Sequence, residues 1–479
     1  MARKKVLKDF SSDELLNELA RRHADLHFRE GMTLAEMELS IEGVFGSGTH
    51  ANPSIALMLS RMKPEKPTAK ACPKCGKRTP VKARDRERTV QSLAGLVTFK
   101  RNYHYCDSCK HGFYPVDYML SLPEDGELSA EMEKRALDFA INDVYGECAS
   151  RWRLHYRQPL SDNLFRRVVA RVGAQCEASD QGRLQQHLKP ADAPPDVLVI
   201  EVDGSMLPIR GNEAWKEAKV GVTYRHDTDA NTAIPNTARY VAIVGGMAEF
   251  APVLEESLEI ERLDEAGAVV WVGDGAPCNW TLADQLAPDA LQVLDWFHAV
   301  EHAVDCGKAL LGEDSPWLPL WQRRAETLLI EGDPEALIAE LMACVPEIEK
   351  RRKDKKDALE ALDNLVRYYR TNAHRMKYRL YRESRFPIGS GAVESAHRHV
   401  LQIRMKRAGQ HWAMRNARRM ARLRAAYRTA GPLDFHPAIQ RAHRETRRFG
   451  SLRRERRRNF RYARYGSRDL DSCNRARSN

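Results

Sequence analysis

The sequence predicts a mixed α/β protein: a buried sheet, with helices and a cysteine module ahead of it. Three observations predict this. Apolar, β-branched runs recur between residues 197 and 294, two close cysteine pairs stand upstream, and most of the remaining chain has helical patterning. The length of 479 residues allows several domains and a sizeable core. Hydrophobic residues at 43% and charged residues at 30% describe a soluble globular chain, not a disordered one. No apolar run reaches the roughly 18 residues of a membrane span, and no apolar stretch follows the basic start Met1–Lys5 to make a secretory leader. Ten cysteines, four in two pairs and the rest scattered, fit a reducing, cytoplasmic setting better than a secreted disulfide scaffold.

Taken in order, Ser11-Ser12-Asp13-Glu14 starts a helix, and Thr33 with Glu36 forms a capping-box pattern. Pro64 and Pro67 mark a linker. Residues 70–118 hold the cysteines and short β-like runs such as Leu96–Phe99. Residues 126–187 are helical, and Pro190, Pro194 and Pro195 place a domain boundary. Strands follow at Val197–Asp203, Lys219–Tyr224, Tyr240–Val244, Ala268–Asp274 and Leu291–Asp295, with a helix over Phe250–Leu263. Residues 314–386 lose the strand signal. Gly389-Ser390-Gly391 then breaks the chain before one long helix from Ala392 to Arg428.

Cys72-Pro73-Lys74-Cys75 and Cys106-Asp107-Ser108-Cys109 suit a tetrahedral structural zinc: four soft thiolates on two knuckle turns, with no position left for a substrate water. Gly76 supplies the turn after the first pair. The 30-residue spacer is long for a zinc module and predicts a ribbon with an inserted hairpin. Free thiols are the bland alternative, which two matched pairs disfavour.

Asp203 and Asp274 each close a buried strand and each precede glycine, and Glu394 sits in the first turn of the last helix. Each has an ordinary explanation, as a turn-former or as a helix-dipole partner. Together they predict a set of hard oxygen donors for two Mg²⁺ or Mn²⁺ ions in phosphoryl transfer. Arg398, Arg404, Lys406 and Arg407 follow Glu394 and are expected, with Trp412, to hold a phosphate backbone.

Charge points the same way. Lys and Arg number 77 against 66 Asp and Glu, for a net charge of +11. From Ser395 onward the balance is 24 to 5, or +19, leaving −8 on everything before it. The tail interleaves Phe449, Phe460, Tyr462 and Tyr465 among its arginines. A solvated basic helix would pay self-repulsion without a counter-charge, so a nucleic acid is the expected partner.

In Ile200-Glu201-Val202-Asp203-Gly204, Trp271-Val272-Gly273-Asp274-Gly275-Ala276, Gly389-Ser390-Gly391-Ala392-Val393-Glu394-Ser395, Arg404–Gly409 with Trp412, and Tyr103-His104-Tyr105-Cys106, the chain resembles bacterial insertion-sequence DDE transposases of the ISKra type. The resemblance spans about residues 70–428. It implies an RNase H-like α/β core with a mixed sheet and an all-helical insertion, and Asp203, Asp274 and Glu394 as catalytic triad. Asp295 and His298 resemble an auxiliary D-x₂-H element of Mutator-like relatives. The implied partners are double-stranded DNA (terminal inverted repeats and target) and further copies of the chain, as a homodimer or larger synaptic complex. No membrane is involved. The implied organisation is an N-terminal helical region (1–66), zinc ribbon (67–125), helical DNA-binding or linking region (126–190), catalytic core (191–313), helical insertion (314–386), Glu-bearing helix (387–430) and basic tail (431–479). The helical region and ribbon are expected to recognise the repeats.

Two other readings compete. His298-Ala299-Val300-Glu301-His302 is a literal H-x-x-E-H, the pattern of a zinc peptidase with two helical histidines and a general base. That reading leaves the ribbon and the basic tail unused. A catalytically inactive zinc-containing DNA-binding protein would use both, but has no need for three acidic residues at these places.

Overall fold

The computed structural model describes residues 11–45, 52–62, 67–123, 126–156, 158–211, 215–351 and 355–449. The chain start, Pro64 and the tail beyond 449, with Phe460, Tyr462 and Tyr465, lie outside the described residues. The chain divides into two compact units, Met1–Ala178 with Pro432–Gly450, and Ser179–Gly431. The boundary falls ahead of the proline cluster at 190–195. Arg239 explains why: it donates to Gln185 O (2.8 Å) and Lys189 O (2.5 Å), tying that segment to the sheet.

The first unit opens with α1 (Ser12–His27), α2 (Leu34–Phe45) and α3 (Asn52–Arg61). Both helix starts form capping boxes. Ser11 Oγ accepts from Glu14 N while Glu14 accepts from Ser11 N, and Thr33 and Glu36 repeat the exchange. β1 (Lys70–Ala71) and β2 (Arg78–Thr79) make a two-stranded ladder; β3 (Val81–Ser92), β4 (Gly95–Cys106) and β5 (His111–Phe113) make an antiparallel sheet. The short runs read in the sequence are thus parts of a hairpin with two strands of 12 residues. Its turn end is buried: Met37, Ile41, Ile55 and Met58 pack with Val90, Ala94 and Val97. Residues 1–66 and 67–125 therefore share a core and are not separate domains. α4 (Pro115–Met119), α5 (Ala130–Asn142), α6 (Tyr145–Tyr156) and α7 (Asp162–Ala178) follow, and Phe435, Ala438 and Ile439 from the C-terminal segment are buried in the same unit.

The second unit starts with α8 (Gln181–Leu188). Its sheet contains β6 (Val197–Pro208), β7 (Trp215–Asp227), β8 (Thr232–Ala233), β9 (Arg239–Val244), β10 (Ala268–Gly273) and β11 (Leu291–Leu294). The order is β9-β7-β6-β10-β11, with β8 also on β7. β6, β7 and β9 form an antiparallel meander, and β10 and β11 run parallel to β6. The central position of β6 explains its unbroken run: Val197 to Val202 are all buried, as a strand covered on both faces requires. α9 (Met247–Ile260), α10 (Pro277–Leu286) and α11 (Trp296–Leu311) connect and follow the strands.

α12 (Leu318–Ile330), α13 (Pro334–Ala343), α14 (Val345–Arg351), α15 (Lys355–Asn372) and α16 (Tyr378–Glu383) make the expected all-helical stretch. It is not a separate body. Leu329, Leu337, Leu341, Leu362 and Tyr369 belong to the same core as Ile200, Trp271 and Val293. The long helix expected from Ala392 is broken. α17 (Gly391–Ala396) runs into a π turn at His397–Gln402 and a short α18 (Ile403–Met405), and α19 (Met414–Phe449) begins after a loop. Gly431, at φ 81° and ψ 171°, interrupts α19 where the chain leaves this unit.

Candidate active site and metal centre

β6 and β10 pair in parallel up to Glu201 opposite Val272. Two residues further on, the same register sets Asp203 level with Asp274; Asp274 stands just past the end of β10, whereas Asp203, expected to close its strand, lies midway along β6, which stays paired with β7 as far as Pro208. Asn279, 2% exposed in the first turn of α10, ties them together. Its Nδ2 donates to Asp274 Oδ1 (2.8 Å) and to Val202 O (3.2 Å). The turn after Asp274 needs glycine. Gly275 has φ +87°, and a Cβ there would stand 2.7 Å from the Tyr368 ring, whose hydroxyl donates to Asp274 O (3.0 Å).

Glu394 is carried by α17, which packs against β6 and β7. Buried Glu201 anchors that helix: its Oε2 accepts from Val393 N (2.8 Å) and its Oε1 from Tyr224 Oη (2.8 Å). Burial pushes the Glu201 carboxyl up to about 7. Asp295 holds the turn before the helix. Its Oδ1 caps α11 by accepting from Phe297 N (2.6 Å) and His298 N (3.3 Å), and its Oδ2 accepts from Ser390 N (2.8 Å) and Ser390 Oγ. At 2% exposure, Asp295 is a brace between the end of β11 and the Glu394 segment. The Glu394 side chain is 57% exposed, with His298 Nε2 3.8 Å from its Oε1.

His397, one turn beyond Glu394, is 2% exposed and sets Nε2 3.1 Å from Asp203 Oδ2. Burial pushes the Asp203 carboxyl up, but the His397 bond and charge and the Gly204 N–H outweigh it and hold the group below the usual carboxylate range. Lys406 Nζ donates to Ser205 Oγ (2.6 Å), two residues along the same strand. Burial lowers its ammonium pKa, and the charge of Asp203 opposes that shift.

Placement of the other expected residues varies. Arg398 is exposed and Arg407 half-buried. Arg404 (1% exposed) and Trp412 (7%) stack on each other inside the unit, and Trp412 Nε1 donates to Met405 O (3.0 Å). Their burial corrects the expectation that they lie against a phosphate backbone: they brace the loop that carries Lys406. The sequence reading gave no role to Glu201, Asn279 or His397. The adjacency of Glu201 to the Asp203 motif and the i,i+3 spacing of His397 from Glu394 were the available signals.

Cys72, Cys75, Cys106 and Cys109 converge, with all four sulfurs within 4.8 Å of one another. Cys72 N donates to Lys77 O (2.9 Å), and Gly76 N to Cys72 O (2.8 Å), at φ +74° for Gly76. The Cys109 N–H is the largest influence on the Cys106 thiol and helps pull it down to about 6, towards the thiolate a metal requires. This set can hold a structural metal such as zinc. It is the one such convergence of three or more His, Cys, Asp or Glu among the described residues. Asp203, Asp274 and Glu394 do not form such a cluster, and among the described residues no third His, Cys, Asp or Glu completes one with His298 and His302. His302 stacks on Tyr368 at 4.2 Å between ring centroids.

Fold and site define a mixed α/β protein with a mixed sheet, many helices and a Cys₄ cluster. The chain belongs to UPF0236, an uncharacterised protein family whose model matches residues 74–434. Comparison with curated proteins gives no match. Among the described residues, no helix is long and apolar enough to cross a membrane.

Proposed function

We propose that the chain is a DDE transposase of a bacterial insertion sequence, with an RNase H-like core formed by the β9-β7-β6-β10-β11 sheet and the helical stretch 314–386 as its insertion. One observation carries the reading: the parallel register of β6 and β10 sets Asp203 level with Asp274, and Glu394 is on a helix tied to β6 by Glu201. The meander followed by two parallel strands suits that core, and so does the strand, strand, helix order of the three acids.

The donors are hard oxygens, and Asp203 is held in its ionised form, which fits a divalent cation. Asp203, Asp274 and Glu394 would hold two Mg²⁺ or Mn²⁺ ions. The ions, when bound, would activate the attacking oxygen and stabilise the leaving one. The chain's own groups do the positioning. Asn279 fixes the Asp274 carboxylate, His397 fixes that of Asp203, and Glu201 and Asp295 hold the start of the Glu394 helix. Lys406, beside Ser205, would meet a non-bridging oxygen of the reacting phosphate.

Two in-line displacements follow. Water adds to phosphorus at the element end and the 3′-oxygen leaves, giving a free 3′-OH. That hydroxyl then attacks a target phosphodiester and expels the target's 3′-oxygen, with no covalent enzyme intermediate. Terminal inverted repeats and target duplex are the substrates, and a homodimer or larger assembly would pair the two ends.

The test is incubation with Mg²⁺ and labelled DNA carrying the element's ends, beside Asp274→Ala. Cleavage or strand joining that disappears in the variant supports the reading. Tight binding without cleavage, in Mg²⁺ and in Mn²⁺, leaves a DNA-binding protein without this chemistry.

A further inference from the structure

We propose that the cysteine end of the ribbon is a phosphate clamp, holding duplex DNA by its backbone without reading its sequence. The proposal rests on the reading of the chain as a DNA-acting protein, and it departs from the expectation that the ribbon recognises the inverted repeats. Residues 67–113 carry 11 Lys and Arg against three Asp and Glu, a basic island in a body that is otherwise acidic.

The structure gathers these charges at one end. Lys74, Lys77, Arg78 and Lys110 stand on or beside the two knuckles, whose sulfurs lie within 4.8 Å of one another. Lys82 and Arg84 begin β3, with Lys82 Nζ 4.5 Å from the centroid of the Tyr105 ring, next to Cys106. All six are exposed, and none forms a salt bridge among the described residues. Several arginines elsewhere in the same unit are paired: Arg21 with Glu18, Arg61 with Asp25 and Arg135 with Glu42. Six unpaired cations held on a small rigid module repel one another until a polyanion neutralises them.

Phosphodiester is the better fit than a lipid surface. The exposed large apolar residue on the hairpin is Leu96, next to the turn at its other end, so the basic end has no apolar side chain to insert into acyl chains. Base reading is also disfavoured. The patch consists of knuckle turns and a strand edge carrying six lysines and arginines, whereas groove reading uses a helix or a two-stranded ribbon entering lengthwise. The hairpin turn that would lead such an entry is packed in the core.

The experiment measures duplex affinity of the full chain with its metal against salt concentration, without added divalent cation. The variant is Lys77→Gln/Lys82→Gln/Arg84→Gln. The slope of log affinity against log salt should become shallower by about 3. The loss should be the same factor on element-end and scrambled duplexes. A control with equal charge change, Arg323→Gln/Arg370→Gln/Arg382→Gln, should leave the slope as it was. An unchanged slope, an equal change in the control, a loss confined to the element end, or binding of phosphatidylserine vesicles in place of duplex would each overturn the clamp. If the triple variant loses its metal, Lys82→Gln/Arg84→Gln avoids the knuckles and should change the slope by about 2. Cleavage is scored separately. Wild-type protein that binds but never cleaves, with the slope change intact, overturns the catalytic reading and leaves the clamp; cleavage with an unchanged slope does the reverse.

Discussion

Single side chains at this site are set by neighbours far away in sequence. Asn279 can satisfy Asp274 and Val202 because α10 begins immediately beyond the strand end. Asn279→Asp keeps the size and removes both donors, and it sets a second negative charge beside Asp274. Metal-dependent cleavage should fall at least about tenfold while duplex affinity stays unchanged; equal loss of both would make Asn279 a folding residue. Gly275→Ala forces a methyl toward Tyr368 at a positive φ, at a cost of roughly 1–3 kcal/mol, and should displace the Asp274 turn. Its melting temperature and its cleavage should drop together. Glu201 sets a pH dependence, and so does Glu38 in the first unit, a buried residue of α2 whose Oε1 accepts from Leu93 N and Ser129 Oγ (both 2.7 Å). Burial pushes both carboxyls up to about 7. A carboxyl raised above its unfolded value favours the folded state fully at low pH, and that contribution is lost as pH rises through the folded value. Stability should therefore decline between about pH 5 and 8, and Glu201→Gln should flatten the decline in melting temperature. A profile identical to wild type would show that Glu201 is ionised throughout.

Elements differ in how far they can stand on their own pattern. The capping boxes at Ser11 and Thr33 and the apolar run of β6 are local signals, and each element forms where its signal lies. β1 and β2 are the opposite case. A two-residue ladder has too few bonds to persist alone, so the knuckles depend on the convergence of the four sulfurs. Cys72→Ser or Cys106→Ser should remove one bound zinc per chain, read by metal analysis, and lower the melting temperature of the first unit. Retention of stoichiometric zinc in either variant would mean that the metal is held elsewhere. The single helix expected from Ala392 to Arg428 failed for a physical reason. Buried Arg404 and Trp412 close the loop at 406–413 by side-chain packing, which no helical periodicity in the residues announces.

At the scale of the whole molecule, charge and chemistry sit on different parts of the chain. If the chain is the transposase proposed above, Asp203→Asn should abolish cleavage and leave duplex binding near wild type, because the substitution removes a carboxylate and no positive charge. An Asp203→Asn protein that still cleaved specific ends would remove the triad assignment. Truncation after Phe449 deletes a strongly basic segment, and it should lower affinity for every duplex alike and reduce the salt dependence. The helical stretch 314–386 shares its core with the sheet, so cutting it out should unfold the second unit and not release a free catalytic core.

The residues themselves determined the strands, the cysteine quartet, the three candidate acids and the concentration of positive charge, because strand burial, thiolate softness and net charge are properties of composition and short-range pattern. The basic island around the cysteines was equally countable but was masked by the larger excess in the tail. Tertiary structure decided the rest. It set Asp203 level with Asp274 through parallel register, buried Arg404 and Trp412, recruited Glu201, Asn279 and His397, and merged the N-terminal helices with the ribbon. Each of those outcomes depends on contacts between residues distant in sequence, where register and packing, not local preference, fix which side chains meet.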